Sequence, residues 1–466
     1  MPTDTRAIVD DIQSGMVPAY IYADPEIFEL ERERVFGRTW NFLAHESEIP
    51  NPGDYVVRNV LEDSFIVVRD EHGVVRVHFN MCLHRGMQVC RAERGNASHF
   101  RCSYHAWTYS NSGDVVGVAY HESAYGGDRG LPKKGRKLIT PPHVDTYRGM
   151  IFVCLDPDAG SLDDFLGDYK FFFDMYLRQS DEGALFRGPQ RWRVPTNWKV
   201  ITENGAGDSY HTAFTHASIM DVKLFGPAKR KSRKLATTYV AGAGSGTTHR
   251  FSDEGDFVQR MTSIGFPLEM AERMRRVYTP AQVAVVEDYG VSLSASGVMP
   301  NIAIINTFVA IEEGGGDVPF TSLRTANPIS ATECEVLSWF VVDKAAPPEF
   351  QEASYRAYSL CFGPGGMFEQ DDIVNFTGIT RSARGSMARS LNLNSRLGLT
   401  LDDTPLAPAE NWPAPGEANL GFGEFGQRSF LRQWAELLDT PSDAGRERRS
   451  TIGEPDPGEL VTGRSA

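Results

Sequence analysis

The sequence predicts an α+β protein, a small antiparallel β domain followed by a larger domain that mixes strands and helices. Three observations lead there. From Trp40 to about Leu155, short β-rich runs follow one another, separated by turn residues. Between about residues 190 and 440, strand-like and helix-like runs come in irregular order, which disfavours a doubly wound parallel sheet. The chain has 466 residues, 41% hydrophobic and 23% charged, enough for two or three domains with sizeable cores.

Taken in order, residues 24–36 read as a helix. Asp24 can cap it, Pro25 suits its first position, and Ile27, Leu30, Arg34 and Val35 make a mixed apolar stripe. Strands are expected at 54–57, 65–68 and 74–77, with turns at Asn51-Pro52-Gly53 and Glu71-His72-Gly73. Residues 149–155 read as the last buried strand of this domain. A polar connection, 180–188, leads to a region with strands at 302–308 and 336–342 and helices at 348–359 and 429–438. Beyond Thr440 the chain is Pro, Gly, Ser and charge, which reads as a loose tail. The expected boundaries are therefore 1–39, a helical segment packing on the second domain; 40–160, the β domain; 161–440, the larger domain; and 441–466, the tail.

Composition excludes several classes. The net charge of −14 argues against wholesale binding to nucleic acid or to an anionic membrane. Mean hydropathy is −0.32, and no run of 18 apolar residues exists to span a bilayer. Residues 1–11 lack a basic flank before an apolar stretch, so no signal peptide is expected. Six cysteines are sparse for this length and do not suggest a disulfide framework. A cytoplasmic location is expected, where cysteines near histidines more often bind metal.

The first chemical signal is Cys82-Leu83-His84, then seventeen residues, then Cys102-Ser103-Tyr104-His105. Each short loop offers one thiol and one imidazole. A Rieske centre needs two thiolates on one iron and two imidazoles on the other, which fits that split. A structural zinc site also uses Cys₂His₂, but zinc fingers usually put both cysteines in one loop. Cys90, Cys154, Cys334 and Cys361 have no such partners and are expected to be buried thiols.

The second signal is the stretch from Glu203 to His216, with His211 and His216 five apart and Asp208 three before His211. On an ideal helix, five residues turn two side chains about 140° apart. Both histidines can face one metal only if the helix is distorted, as at a π-bulge. Far downstream lies Met367-Phe368-Glu369-Gln370-Asp371-Asp372. Two histidines and one carboxylate form the facial triad of non-haem Fe(II) oxygenases, which leaves positions open for dioxygen.

In this order of motifs, over about residues 40–375, the chain resembles the α (large) subunit of Rieske non-haem iron aromatic-ring-hydroxylating dioxygenases of the naphthalene and biphenyl dioxygenase type. The resemblance implies a Rieske domain at 40–160 and a catalytic domain with an antiparallel sheet covered by helices. It implies that Cys82, His84, Cys102 and His105 hold one [2Fe–2S] cluster per subunit. His211, His216 and Asp372 would hold one Fe(II); Asp372 is preferred to Asp371 because the family's ligand falls four residues after an aromatic pocket residue, here Phe368. Asp371→Ala is accordingly expected to leave substantial activity. Asp208 matches a carboxylate that links an iron histidine to a cluster histidine, and Asn204 matches an asparagine near the iron.

Three positions depart from the pattern. Ser103 and Ala106 stand where many relatives have Pro and Gly, and Gly205 stands where some carry a bulky apolar residue, which suggests a roomier pocket. Phe214, Phe362 and Phe368, with Met220 and Ile304, are candidates to line that pocket.

The reaction the resemblance implies adds both atoms of O₂ to an aromatic ring and gives a cis-dihydrodiol, with electrons from NADH through a reductase and a ferredoxin. No Arg or Lys lies in 200–220 to meet a carboxylate, so a neutral polycyclic arene is expected over a phthalate. The basic run 229–234 is the feature that bears against this. A Rieske monooxygenase or demethylase uses the same ligands and is the alternative. The implied assembly is a ring of three α subunits, with a small β subunit in an α₃β₃ form. Arg85, Arg91, Arg94 and Arg101 between the two loops suggest a cationic rim for an acidic ferredoxin.

Overall fold

The computed structural model describes residues 4–221, 235–250, 255–290, 292–400 and 408–440; the basic run 229–234, the tail 441–466 and the side chain of Met220 lie outside the described residues. The chain divides into two compact units. The larger takes in residues up to 42, 146–149 and 158–439, and the smaller is built chiefly from 43–145 and 150–157.

The smaller unit contains two antiparallel sheets. Strands β1 (Asp54–Val60), β2 (Asp63–Arg69), β3 (Val75–Phe79) and β4 (Arg94–Asn96) form one sheet in the order β3-β2-β1-β4. Strands β5 (His99–Arg101), β6 (Thr108–Ser110) and β7 (Val115–Gly117) form a second. The middle of β2 is buried without a break from Ser64 to Val68, as befits a central strand. Tyr55, Ile66, Val68, Phe100, Trp107 and Tyr109 form the core, and Cys82 and Cys102 belong to it. The strand foreseen at 149–155 is Met150–Cys154, buried throughout.

In the larger unit, helix α1 (Thr5–Gln13) is capped by Asp4, and helix α2 (Pro25–Glu31) is capped by Asp24, whose carboxylate accepts from the Glu26 N–H at 2.8 Å. A wider π turn, Arg32–Phe36, continues α2. Its buried residues are Ile27, Phe28, Glu31, Val35 and Phe36, so the carboxylate of Glu31, which the stripe read from the sequence did not include, lies buried with them.

Eight antiparallel strands make the main sheet: β8 (Ala184–Val194), β9 (Leu235–Ala241), β10 (Gly244–Arg250), β11 (Ser292–Val298), β12 (Ile302–Ala310), β13 (Asp317–Ser330), β14 (Glu333–Asp343) and β15 (Glu417–Leu420), in the order β8-β14-β13-β12-β11-β10-β9-β15. Strand β8 takes up part of the expected polar connection; its register shifts between Arg187 and Gln190, where Gly188-Pro189 interrupts the ladder.

Helices α3 (Trp198–Gly205), α4 (Thr212–Thr215), α5 (Pro348–Phe362), α6 (Met367–Ala383) and α7 (Phe425–Asp439) complete the parts needed below. Helix α3 packs on β11, β12 and β13, and α5 on β13 and β14. The buried Glu31 joins three elements. Its carboxylate accepts from the Trp198 and Trp434 indoles at 2.9 Å each and from the Lys199 ammonium. Lys199 and Glu31 are both fully buried, and these extra donors supply what a buried ion pair needs to offset desolvation. Among the described residues, no helix is long and apolar enough to cross a membrane.

Candidate metal centres

The two Cys–His loops of the smaller unit share one backbone pattern. The Cys82 N–H donates to the Met87 carbonyl at 2.8 Å, and the Gly86 N–H returns to the Cys82 carbonyl at 2.9 Å. In the second loop, Cys102 donates to the Trp107 carbonyl at 2.8 Å, and Ala106 returns to the Cys102 carbonyl at 3.0 Å. The fourth residue after each cysteine must turn left-handed, at φ +72° for Gly86 and +59° for Ala106. Glycine does this freely, whereas alanine is strained there.

These loops bring the four donors together. The His84 and His105 rings lie 4.4 Å apart, and the Trp107 ring stacks parallel on His84 at 5.4 Å. Burial pushes the Cys82 thiol up, and the Cys102 thiol beside it adds to that. The Tyr109 hydroxyl, 3.2 Å from Cys82 Sγ and accepting from the Leu83 N–H at 3.0 Å, acts in the other direction. Nδ1 of His84 is buried with no hydrogen-bond partner among the described residues. A buried imidazole nitrogen without a proton partner, beside two adjoining buried thiols, is a donor set suited to a bound metal cluster. Cys90, Cys154, Cys334 and Cys361 are buried thiols.

In the larger unit the distortion at the histidine pair is not a π-bulge. Helix α3 ends at Gly205; the chain breaks, makes the single turn α4 and breaks again at His216. Gly207, at φ +119°, carries the first break, and a Cβ there would lie 2.8 Å from Thr247 Oγ1. Hydroxyls of β10 hold this break: Ser245 donates to the Ala206 carbonyl at 2.9 Å and Thr247 to the Gly207 carbonyl at 2.7 Å. Asp208 Oδ1 then accepts from the N–H groups of Tyr210 and His211 at 3.1 and 3.2 Å.

The two histidines flank α4 and converge on α6. His211 Nε2 is 3.5 Å and His216 Nε2 3.3 Å from the same oxygen, Asp372 Oδ1. One ligand atom from each of the three residues falls within 4.8 Å of the others. Burial pushes the Asp372 carboxyl up to about 7; His211 opposes this and Glu369 adds to it. A cation would reverse that cost, so the donor set fits a divalent metal.

The outer nitrogens are served too. His211 Nδ1 lies 3.2 Å from Asp208 Oδ1, and His216 Nδ1 lies 3.4 Å from Asp371 Oδ2, which also accepts from the Ser218 hydroxyl at 3.2 Å. Burial disfavours protonated His211, but Asp208 together with Asp372 outweighs it and the ring is shifted up. Asn204 Nδ2 is 3.3 Å from the same Nδ1. The carboxylate is the acceptor, so the proton sits on Nδ1 and the amide is a neighbour rather than its partner. Glu203, half-buried and hydrogen-bonded by Tyr22 at 2.6 Å, is pushed up to about 7 by desolvation.

Three expectations change. Phe214 is 72% exposed, its ring against Tyr210, because α4 turns both flanking histidines inward and the third residue of the turn outward. Gly205 leaves no room, since a Cβ there would meet the Ala303 Cβ at 2.6 Å; it is a close approach of α3 to β12. Asp371 is not a bystander but a partner of His216. Phe362 and Phe368 are buried and stacked, centroids 5.2 Å apart, and the Phe368 ring meets the His216 ring edge-on at 4.6 Å. Ile304 is buried on β12. Sequence reasoning missed Arg324 and Glu369, a buried ion pair at 2.6 Å; the acidic run containing Glu369 was visible, but nothing marked Arg324.

Comparison with known proteins agrees with this geometry. Residues 39–139 match the Rieske [2Fe–2S] domain, and residues 182–439 match the ring hydroxylating alpha subunit catalytic domain. The chain is 32% identical to the N,N-dimethyl phenylurea N-demethylase subunit alpha of Sphingobium sp. (strain YBL2), over 93% of this chain and 95% of that one. It is 33% identical to the biphenyl 2,3-dioxygenase subunit alpha of Rhodococcus jostii (strain RHA1), over 94% and 92%. Among solved structures, naphthalene 1,2-dioxygenase from Rhodococcus sp., bound to indole, superposes with a TM-score of 0.85 at 40% identity, over 95% of this chain and all of that one. The chain thus belongs to the ring-hydroxylating alpha subunits, Rieske non-haem iron oxygenases that carry a [2Fe–2S] domain ahead of a mononuclear-iron catalytic domain.

Proposed function

We propose that this chain is a terminal oxygenase component that adds both atoms of dioxygen to a neutral aromatic ring and gives a cis-dihydrodiol. The observation that carries the reading is the convergence of His211 and His216 on one oxygen of Asp372, beside the buried aromatic pair Phe362–Phe368. His211, His216 and Asp372 would hold the iron; Cys82 and Cys102 would hold one iron of the cluster, and His84 and His105 the other. When bound, these groups supply dioxygen activation and the storage of electrons.

The chain's own residues then have defined parts. Asp208 keeps a proton on His211 Nδ1, which leaves the Nε2 lone pair, on the side of Asp372, to hold a metal. Asp371 does the same for His216. Phe362 and Phe368 exclude water from one side of the site and offer apolar surface to a ring. NADH supplies two electrons through a reductase and a ferredoxin, so that arene, O₂, NADH and a proton balance against dihydrodiol and NAD⁺. Arg85, Arg91, Arg94 and Arg101 are all exposed, which supports docking of an acidic ferredoxin on the smaller unit. A groove of about 740 Å³, lined by His84, Arg101, Tyr104, His105 and Tyr120, opens beside the cluster histidines. In the assembly proposed here, three α subunits form a ring with three β subunits. The cluster of one chain then serves the iron of the next through Asp208.

A fused-ring substrate is favoured by the likeness to naphthalene 1,2-dioxygenase, not by Gly205. A second reading, oxidative N-demethylation, is supported by the likeness to the phenylurea demethylase. The deciding experiment incubates the reconstituted system with naphthalene, biphenyl, phthalate and an N,N-dimethyl phenylurea under ¹⁸O₂. A doubly labelled cis-dihydrodiol from naphthalene or biphenyl is expected. Formaldehyde as the main product would replace this reading with the second, and faster turnover of phthalate would remove the preference for a neutral ring.

A further inference from the structure

Helix α6 carries Asp372, and one turn earlier it carries Glu369, 1% exposed. Glu369 Oε2 accepts from Arg324 Nη1 at 2.6 Å, and its Oε1 accepts from the Trp192 indole at 3.2 Å. Arg324 stands on β13 and is 3% exposed. Its Nε and Nη2 make no hydrogen bond among the described residues. What the guanidinium does face is a ring: its carbon lies 4.8 Å from the centroid of Phe362. Phe362 stacks on Phe368, 5.2 Å away at 21°, and Phe368 abuts the His216 ring at 4.6 Å.

These contacts form one continuous column: Trp192, Glu369, Arg324, Phe362, Phe368, His216. A solvated arginine gains little from such a ring, but one this buried has no water to prefer, and the flat guanidinium fixes the plane of the ring below it. That ring fixes the next by offset stacking. We propose that Arg324 is a positioning residue of the iron site, which sets the tilt of the His216 imidazole through the stacked rings of Phe362 and Phe368. The ion pair with Glu369 serves to orient the guanidinium and to neutralise it. Glu369 in turn anchors the turn of α6 from which Asp372 projects, so one pair steadies two of the three ligands.

This inference rests on His216 and Asp372 holding the metal, as proposed above, and its test separates the two. Full-length protein with its oxidised, EPR-silent cluster is loaded with Co(II) in place of mononuclear iron, and the Co(II) EPR signal and binding affinity are recorded. Arg324→Lys keeps the charge but loses the plane. The double variant Arg324→Met with Glu369→Gln keeps neutrality but loses the pair. Phe362→Leu keeps an apolar side chain and loses the ring, and it holds the test open should an arginine variant not fold.

All three should broaden or shift the Co(II) signal and weaken Co(II) binding several-fold, with cluster absorption unchanged. Arg324→Lys and Phe362→Leu combined should do no more than either alone, because they cut the same column. A wild-type signal in folded Phe362→Leu or Arg324→Lys, or additive effects in the combined variant, overturns the proposal. Failure of the unaltered protein to bind one Co(II) per chain, lost in His216→Ala, sinks the metal-site reading and this proposal with it.

Discussion

At the scale of single residues, the adjacent carboxylates Asp371 and Asp372 divide their work by one helical step. Asp372 is 5% exposed and aims an oxygen at both Nε2 atoms; Asp371 sits at the edge and meets His216 Nδ1 and the Ser218 hydroxyl. Asp372→Ala should therefore empty the mononuclear site and abolish turnover while sparing the cluster. Asp371→Asn should be intermediate, with metal affinity or turnover lower by about 10–100-fold, the usual effect of losing a partner of a ligating histidine. Iron content per chain and turnover, measured together, check both, and an Asp371→Asn protein equal to wild type would show the His216 contact to be idle. Asp372 was preferred through a family resemblance, its distance from Phe368, and it is Asp372 that lies within 3.5 Å of both Nε2 atoms. Nothing in the sequence pointed to Asp371's role, because a solvated acid and one that meets an imidazole look alike in a string of residues.

At the scale of elements, the two cluster loops are near copies, and their difference is informative. Where the first uses Gly86, the second forces Ala106 to φ +59°, a conformation that costs an L-residue roughly 1–2 kcal/mol. Ala106→Gly should keep the cluster and raise the melting temperature of the smaller unit, by up to about 1 kcal/mol of stability once glycine's extra freedom in the unfolded chain is counted. Calorimetry with cluster absorbance as a control checks this; loss of the cluster would mean that the methyl group supports it. Cys82, His84, Cys102 and His105 were legible because ligand spacing is written in the local chain. The strands near the iron were less so. β10 reads Gly-Ser-Gly-Thr-Thr-His-Arg, with no apolar alternation to betray it, yet Ser245 and Thr247 are buried and their hydroxyls hold the chain ahead of Asp208. The break around α4 was missed for a related reason. Spacing says that two histidines diverge on a helix, but not whether the chain will bulge or stop, and Gly205-Ala206-Gly207 stops it.

At the scale of the whole molecule, the proposed ring makes a claim about where electrons travel. Co-expression of two inactive variants, His105→Ala without a complete cluster site and His211→Ala without a complete iron site, should restore part of the activity, because some mixed rings set an intact cluster against an intact iron. Activity that stays at zero in every mixture would place transfer within one chain. A different consequence follows from Glu31, which holds Trp198, Lys199 and Trp434 together, and from the Thr5 hydroxyl, which donates to Asp439 at 2.7 Å. The larger unit closes on itself only when residues more than 400 positions apart meet, while most of the smaller unit is a continuous stretch, 43–145, lying inside that span. On the ribosome, the strands around the two Cys–His loops are complete long before α7 emerges, and α2 must wait with a buried carboxylate still exposed. Synthesis therefore has a built-in order: the electron-carrying part is ready to fold first, and the oxygen-handling part is sealed last, when α7 reaches α1 and α2.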